Sequence, residues 1–214
     1  MAKSDSFAGF DLAPNHSAYV EVNSRGKVIF FSAITNSVRV DKENPEVTLY
    51  HITKIRKRLP KEVYKIHRLA FFSSWFSEIV DSRRPTCVCV EAYAYGKNTG
   101  AYEIGEVGGA ARTTLLRSGI PFRLWSPMSV KKFAGIPASE KPFKFCLSKG
   151  EDWKRINSGT KSDTAGDLAD SHCLALMALT EHKLKTGKLK DVPPTFKNIM
   201  DSEFLSSKIL ELEI

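Results

Sequence analysis

Apolar and polar residues alternate from Phe7 to Ala13, break at Pro14-Asn15-His16-Ser17, and alternate again from Ala18 to Val22. A hairpin turn at Asn23-Ser24-Arg25-Gly26 leads into a third alternating run, Lys27 to Ile34. This pattern predicts a three-strand antiparallel meander. The period then changes: Val63, Ile66, Leu69, Phe72, Phe76, Ile79 and Val80 recur at helical spacing between Lys61 and Val80. Phe71, Phe72, Trp75 and Phe76 spread so far round that helix that one side is expected to pack against a second copy of the chain. Thr86 to Glu91 is a run of small and β-branched residues, a buried strand. A helix over Ala101 to Arg117, a short strand over Pro121 to Trp125, a helix opening at Ser126-Pro127 with Lys131 and Lys132 exposed, and a long helix from Thr164 to about Lys185 complete the regular elements.

Two stretches lose the pattern. Asn36 to Leu59 dissolves into charged residues and the basic run Lys54-Ile55-Arg56-Lys57-Arg58, a solvated face or a phosphate-contacting patch. Phe143 to Gly166 mixes Lys144, Lys149 and Lys154 with Trp153 and Gly159, and is expected to be a mobile, partly basic segment. After Lys185 come Pro193-Pro194 and an amphipathic stretch from Ser202 to Leu212. The expected organisation is one α/β domain over residues 1–185, with a helical extension over 186–214 packed on the domain or on a partner subunit.

Charge adds a partner class. Lysine and arginine number 32 against 24 aspartate and glutamate, a formal +8, which suits a polyanion. Duplex DNA carries about one negative charge per 1.7 Å of axis, and a basic face gains affinity there by releasing counterions. Cys87, Cys89, Cys146 and Cys173 form no C-x-x-C pair and read as small core residues in a reducing compartment. The first residues lack the apolar run of a signal peptide, and no stretch is apolar for the length of a membrane span, so a cytoplasmic protein without membrane attachment is expected.

Four carboxylates carry the candidate chemistry. Asp11 interrupts an apolar strand, and Glu91 ends a buried one. Asp167 and Asp170 stand at i and i+3 on one face of the last long helix. Each has an ordinary alternative: Asp11 capping the Pro14-Asn15 turn, Glu91 paired with a surface lysine, and the two helix acids answering the helix dipole. Taken together they have another reading. Strands one and four become central neighbours when a meander is followed by parallel β-α-β units, and the four acids then converge. Such acids raise one another's pKa unless divalent cations lie between them, and oxygen-only ligands favour magnesium or manganese. Two ions about 3.5–4 Å apart promote phosphodiester hydrolysis. The loop after Glu91, Tyr93-Ala94-Tyr95-Gly96-Lys97-Asn98, adds aromatic faces for unstacked bases and a cation for phosphate.

These pieces resemble the RuvC family of Holliday-junction resolvases within the RNase H-like superfamily. The matching segments are Gly9-Phe10-Asp11, Val90-Glu91 with Lys97-Asn98, the helix around Gly105 to Leu116, Val130-Lys131 with Gly135-Ile136 and Ser139-Glu140-Lys141, and Asp167-Leu168-Ala169-Asp170. The resemblance spans about Phe7 to Lys185. It implies an RNase H-like fold, with a five-stranded mixed sheet of three antiparallel and two parallel strands flanked by helices. It also implies two magnesium ions on Asp11, Glu91, Asp167 and Asp170, with manganese as a substitute and no small-molecule cofactor. Lys131 and Lys141 would stand near the scissile phosphate. The family is homodimeric and cuts opposed strands of a four-way DNA junction. Tyr93, Tyr95, Lys97, Asn98, Lys131, Lys132, Lys141 and Lys144 are the expected DNA contacts. Ala94 occupies the family's aromatic position, between Tyr93 and Tyr95. The longer Asn36 to Leu59 connection, the unmatched Pro142 to Gly166 and the extra tail are similar to phage-encoded members.

Other readings stay open at this stage: an RNase H-like nuclease on flaps, forks or RNA–DNA hybrids, and a DNA-binding module without catalysis. An actin-like nucleotide-binding domain would need a glycine-rich phosphate loop after strand one, where this chain has Pro14-Asn15-His16.

Overall fold

The computed structural model describes residues 5–35, 47–49, 59–92, 101–156 and 164–196. In chain order these form β1 (Ser6–Leu12), β2 (His16–Asn23), β3 (Val28–Thr35), β4 (Val47–Leu49), α1 (Lys61–Arg83), β5 (Cys87–Glu91), α2 (Ala101–Arg117), β6 (Phe122–Trp125), α3 (Pro127–Ala134), α4 (Phe143–Ser148) and α5 (Thr164–Lys185). Short 3-10 turns cover Trp153–Ile156 and Pro194–Phe196.

The strands form one mixed sheet in the order β4-β3-β2-β1-β5-β6. β1, β2 and β3 are the antiparallel meander. β5 lies parallel to β1, and β6 parallel to β5, as the α/β reading requires. The expected five strands are joined by a sixth: Val47–Leu49 runs parallel to β3 at the sheet edge. Three residues are too few to show a period, so this strand was hidden within charged sequence.

Alternation along the strands sorts the core into two layers. Phe7, Ala18, Val20, Val22, Cys87, Cys89 and Trp125 face α5. Ala8, Phe10, Leu12, Tyr19, Val88, Val90 and Phe122 face α1 and α2. Because successive strand residues point to opposite faces, odd positions of β1 and β5 look toward α5. Gly9 shows how closely that helix lies: a Cβ there would stand 2.1 Å from the Ser171 carbonyl oxygen and 2.5 Å from the Ala175 nitrogen. α5 is buried at 18 of its 22 residues, sandwiched between the sheet and a layer made by α3, α4 and the Trp153 turn. A helix covered on every side carries little amphipathic signal.

Two expectations are corrected. The segment from Phe143 is not a loose basic linker over its described part, since Cys146 and Trp153 are fully buried against α5. Aromatic and sulfur anchors, spaced irregularly, fix it without a helical period. On α1, Phe72, Trp75 and Phe76 all turn into the core, where Trp75 and Phe76 stack with Phe10, Phe72 lies against Phe76, and Trp75 donates to Ser32. The sheet face of Phe10, Tyr19 and Ile34 absorbs them, and Phe71 is half-buried against the same layer, so the aromatics gather on the core side of the helix instead of spreading round it. The exposed apolar residues of α1 are Val63 and Ile66 instead. Beyond α5, Phe196 is fully buried against Trp125 and Phe133. The basic run 54–58 and the stretch 202–212 lie outside the described residues.

Candidate active site

Strand parity places the first two acids. Asp11 follows Phe7 and Gly9 by twos, and Glu91 follows Cys87 and Cys89, so both project toward α5 from the C-terminal ends of adjacent parallel strands. Open α/β sheets present ligand sites at that edge. α5 enters there with its N-terminal half, bringing Asp167 and Asp170, which are 3% and 4% exposed. Ser171 pins the helix at this level, its Oγ accepting from the Asp11 amide at 3.0 Å and donating to the Ala18 carbonyl at 2.9 Å.

The four carboxylates interact as a group. Burial, then the charge of Glu91 and a hydrogen bond to it, then Asp167 and Asp170, hold the Asp11 carboxyl well above the ordinary carboxylate range. Cations neutralise the helix side. Lys131 Nζ donates to Asp170 Oδ1 at 2.7 Å, and Lys141 Nζ to Asp170 Oδ2 at 2.6 Å while standing 3.8 Å from Asp167. Burial opposes the Lys141 charge, but Asp170, Asp11 and Asp167 together push its pKa up, so it remains an ammonium.

Lys131 was expected to be exposed and is buried. α3 runs from the Ser126 cap to the left-handed Gly135 and packs Val130 into the core, which carries the neighbouring lysine inward onto Asp170. Lys132 and Lys144 are exposed and contact none of the carboxylates among the described residues. Lys132 instead lines an open groove of about 570 Å³ with Arg25, Lys27, Lys149 and Lys183, a basic lining without an acid among the described residues. Tyr93, Tyr95, Lys97 and Asn98 lie outside the described residues.

His16 is the site residue that sequence spacing did not single out. Its Nδ1 lies 2.5 Å from Asp167 Oδ2. The signal was available: His16 shares parity with Ala18, Val20 and Val22, and it opens the strand that returns beside Asp11.

The donor set fits a hard divalent cation. It is all oxygen, and burial and its three acidic neighbours raise the Asp11 pKa well above the ordinary carboxylate range. Among the described residues no three His, Cys, Asp or Glu side chains are drawn to a common metal-binding point. Asp170 is engaged by two lysines, and Asp167 by His16. A cation would compete with those contacts.

No family model and no curated protein sequence matches the chain. Solved structures do. RuvC of Thermus thermophilus in complex with a Holliday junction substrate is 17% identical with a TM-score of 0.53, over 88% of this chain and 99% of that one. A second Thermus thermophilus RuvC structure is 21% identical with a TM-score of 0.50, over 87% and 99%. At that identity the likeness concerns architecture, and the chain has the RuvC-like form of the RNase H-like fold.

Proposed function

We propose that this chain is a magnesium-dependent endonuclease that resolves four-way DNA junctions by cutting opposed strands. The observation that carries the reading is the meeting of Asp11, Glu91, Asp167 and Asp170 at one sheet edge, with Lys131 and Lys141 against them. The RuvC structure with a Holliday junction supports the substrate class by its likeness of fold. The basic groove lined by Lys132 supports a polyanionic partner.

Asp11, Glu91, Asp167 and Asp170 would hold the magnesium ions, with manganese able to take their place. Bound cations of this kind supply activation of the attacking water and stabilisation of the departing oxygen. The chain's own groups prepare the place for them. Lys131, buried against Asp170, fixes that carboxylate from the protein side. The Lys141 side chain is 34% exposed and permanently charged, so it can leave Asp170 for the scissile phosphate. His16 orients Asp167.

In this reading Tyr93 and Tyr95 stack on unpaired bases, while Lys97, Asn98, Lys132 and Lys144 meet the backbone. The active unit is a homodimer with two facing sites, in which residues 186–214 extend the nuclease domain over its own surface or the partner. The test is a synthetic four-way junction beside a plain duplex, a flap and an RNA–DNA hybrid, with and without magnesium. Paired, symmetric nicks in the junction that require magnesium are expected. Equal or faster cutting of the hybrid would overturn the junction assignment in favour of a different RNase H-like nuclease.

A further inference from the structure

On the other face of the sheet, a cavity of about 400 Å³ opens where the first turns of α1 and α2 meet the β1–β2 turn. Asn15, Lys61, Tyr64, Lys65, Arg68 and Glu103 line it, and none of the four acids does. Arg68 is the unusual member. It is 4% exposed, yet among the described residues only two of a guanidinium's five N–H donors are placed: Nη1 on Asn15 at 3.2 Å and Nη2 on Glu103 at 2.7 Å. Its Nε has no partner among the described residues. Arg123, buried elsewhere in the same fold, sets both Nε and Nη2 on one carboxylate. A guanidinium kept for structure alone is paired in that way, because unpaired buried donors are costly.

The surroundings favour an anion. Lys61 and Lys65 add two positive charges to the lining, against the single carboxylate of Glu103. The hydrogen bond from Arg68 lowers the Glu103 pKa, so that acid stays ionised and is committed to Arg68, with Lys65 3.9 Å away. Lys65 also meets Glu62 at 3.4 Å on the solvent side. α1 begins here, and its cap residue, Pro60, offers no side chain to the first amides. A 23-residue helix therefore points the positive end of its dipole at a basic cavity.

We propose that this cavity binds a non-scissile phosphate of the nucleic-acid backbone, a contact separate from the carboxylate cleft. The inference rests on the nuclease reading for its ligand and deepens it. Asn15 holds Arg68 and is followed by His16, which holds Asp167. A strand seated at this cavity would thus be registered against the metal-binding acids through Asn15, in the β1–β2 turn, and His16, the first residue of β2. Phosphate chemistry alone fits a mononucleotide or free phosphate as well, and the experiment separates these sources.

The test uses the full chain and the double variant Lys61→Ala/Lys65→Ala, which leaves buried Arg68 and its ion pair in place. Binding to a plain duplex and to a four-way junction is measured across a salt series. Loss of one neutralised phosphate lowers the slope of log affinity against log salt by about 0.9. That drop is expected on both DNAs, with restoration in Lys61→Arg/Lys65→Arg. In parallel, inorganic phosphate and AMP are titrated while the backbone amides of residues 61–64 are followed by NMR. Unchanged slopes would overturn the proposal, and so would micromolar binding of AMP or phosphate with unchanged DNA slopes, which would assign the cavity to a small ligand. Reading the slope on plain duplex keeps this result apart from the resolvase assignment: failure to cut junctions sinks that assignment only.

Discussion

The two ends of α5 handle buried negative charge in opposite ways. Near its C-terminus Glu181, 1% exposed, receives Arg123 Nε at 2.8 Å and Nη2 at 2.7 Å, with Lys185 at 3.2 Å. Two cations serve the one anion there, and the surroundings are apolar. Burial, and after it the Glu181 charge, even pushes the neighbouring Cys87 thiol up to about 12. Near its N-terminus the acids outnumber the cations that touch them, and burial and the Glu91 charge push the Asp11 pKa up. The pairing groups differ too: a planar guanidinium locks both carboxylate oxygens of Glu181, whereas two flexible lysines share Asp170. One end is closed. The other has more acids than cations touching them, an imbalance that an added cation would relieve.

The closed end is the place for the largest loss of stability. Arg123→Ala leaves Glu181 buried with only Lys185 in reach, and should lower unfolding free energy by about 3–5 kcal/mol in urea titrations. Replacing both partners by methionine should recover most of that loss, since well-packed apolar pairs commonly match buried ion pairs. If Arg123→Ala is neutral, the two ends do not differ in the way described.

At the open end the sign reverses. Asp11→Asn should cut cleavage more than about 100-fold, beyond the range seen for groups that only support a ligand. It should also raise the thermal midpoint in metal-free buffer at pH values above the raised Asp11 pKa, where the amide removes a charge that burial and Glu91 penalise. The pH course follows from the raised pKa. The stability that Asp11 contributes is fully present below its unfolded value of 3.8 and is lost as pH rises through the higher folded value. The wild type should therefore lose stability relative to Asp11→Asn as pH increases over that window. A parallel course in the two proteins would show that the Asp11 charge is already balanced.

The contrast also marks what the sequence could yield. Period-two alternation gave the antiparallel meander, because parity is a local property of a strand, and the meander followed by β-α-β units gave the parallel pair and the convergence of Asp11 with Glu91. The i, i+3 spacing of Asp167 and Asp170 was equally local. The charge partners were not, since they depend on tertiary packing. Lys131 looked like any exposed helix lysine until α3 was seen to turn it onto Asp170, and Arg123 and Glu181 are 58 residues apart. The Trp153 turn was opaque because its anchors follow no period.

The smallest expected effect concerns His16, and it tests whether the open end is tuned or merely acidic. His16 touches Asp167 from the first position of β2, so it can orient that carboxylate without meeting DNA or metal itself. A supporting contact of this kind is worth roughly 10-fold to 100-fold in metal affinity or activity. His16→Ala should weaken magnesium activation by about tenfold at the lower end of that range, read as a higher magnesium concentration for half-maximal cleavage. Its rate at saturating metal should change much less. His16→Asn should recover most of the shift, because the asparagine amide can place a donor near the position of Nδ1, whereas a general loss of packing would be common to both variants. Should alanine and asparagine behave alike, the contact with Asp167 would not govern metal affinity, and negative charge alone would account for the cation demand at this end of α5.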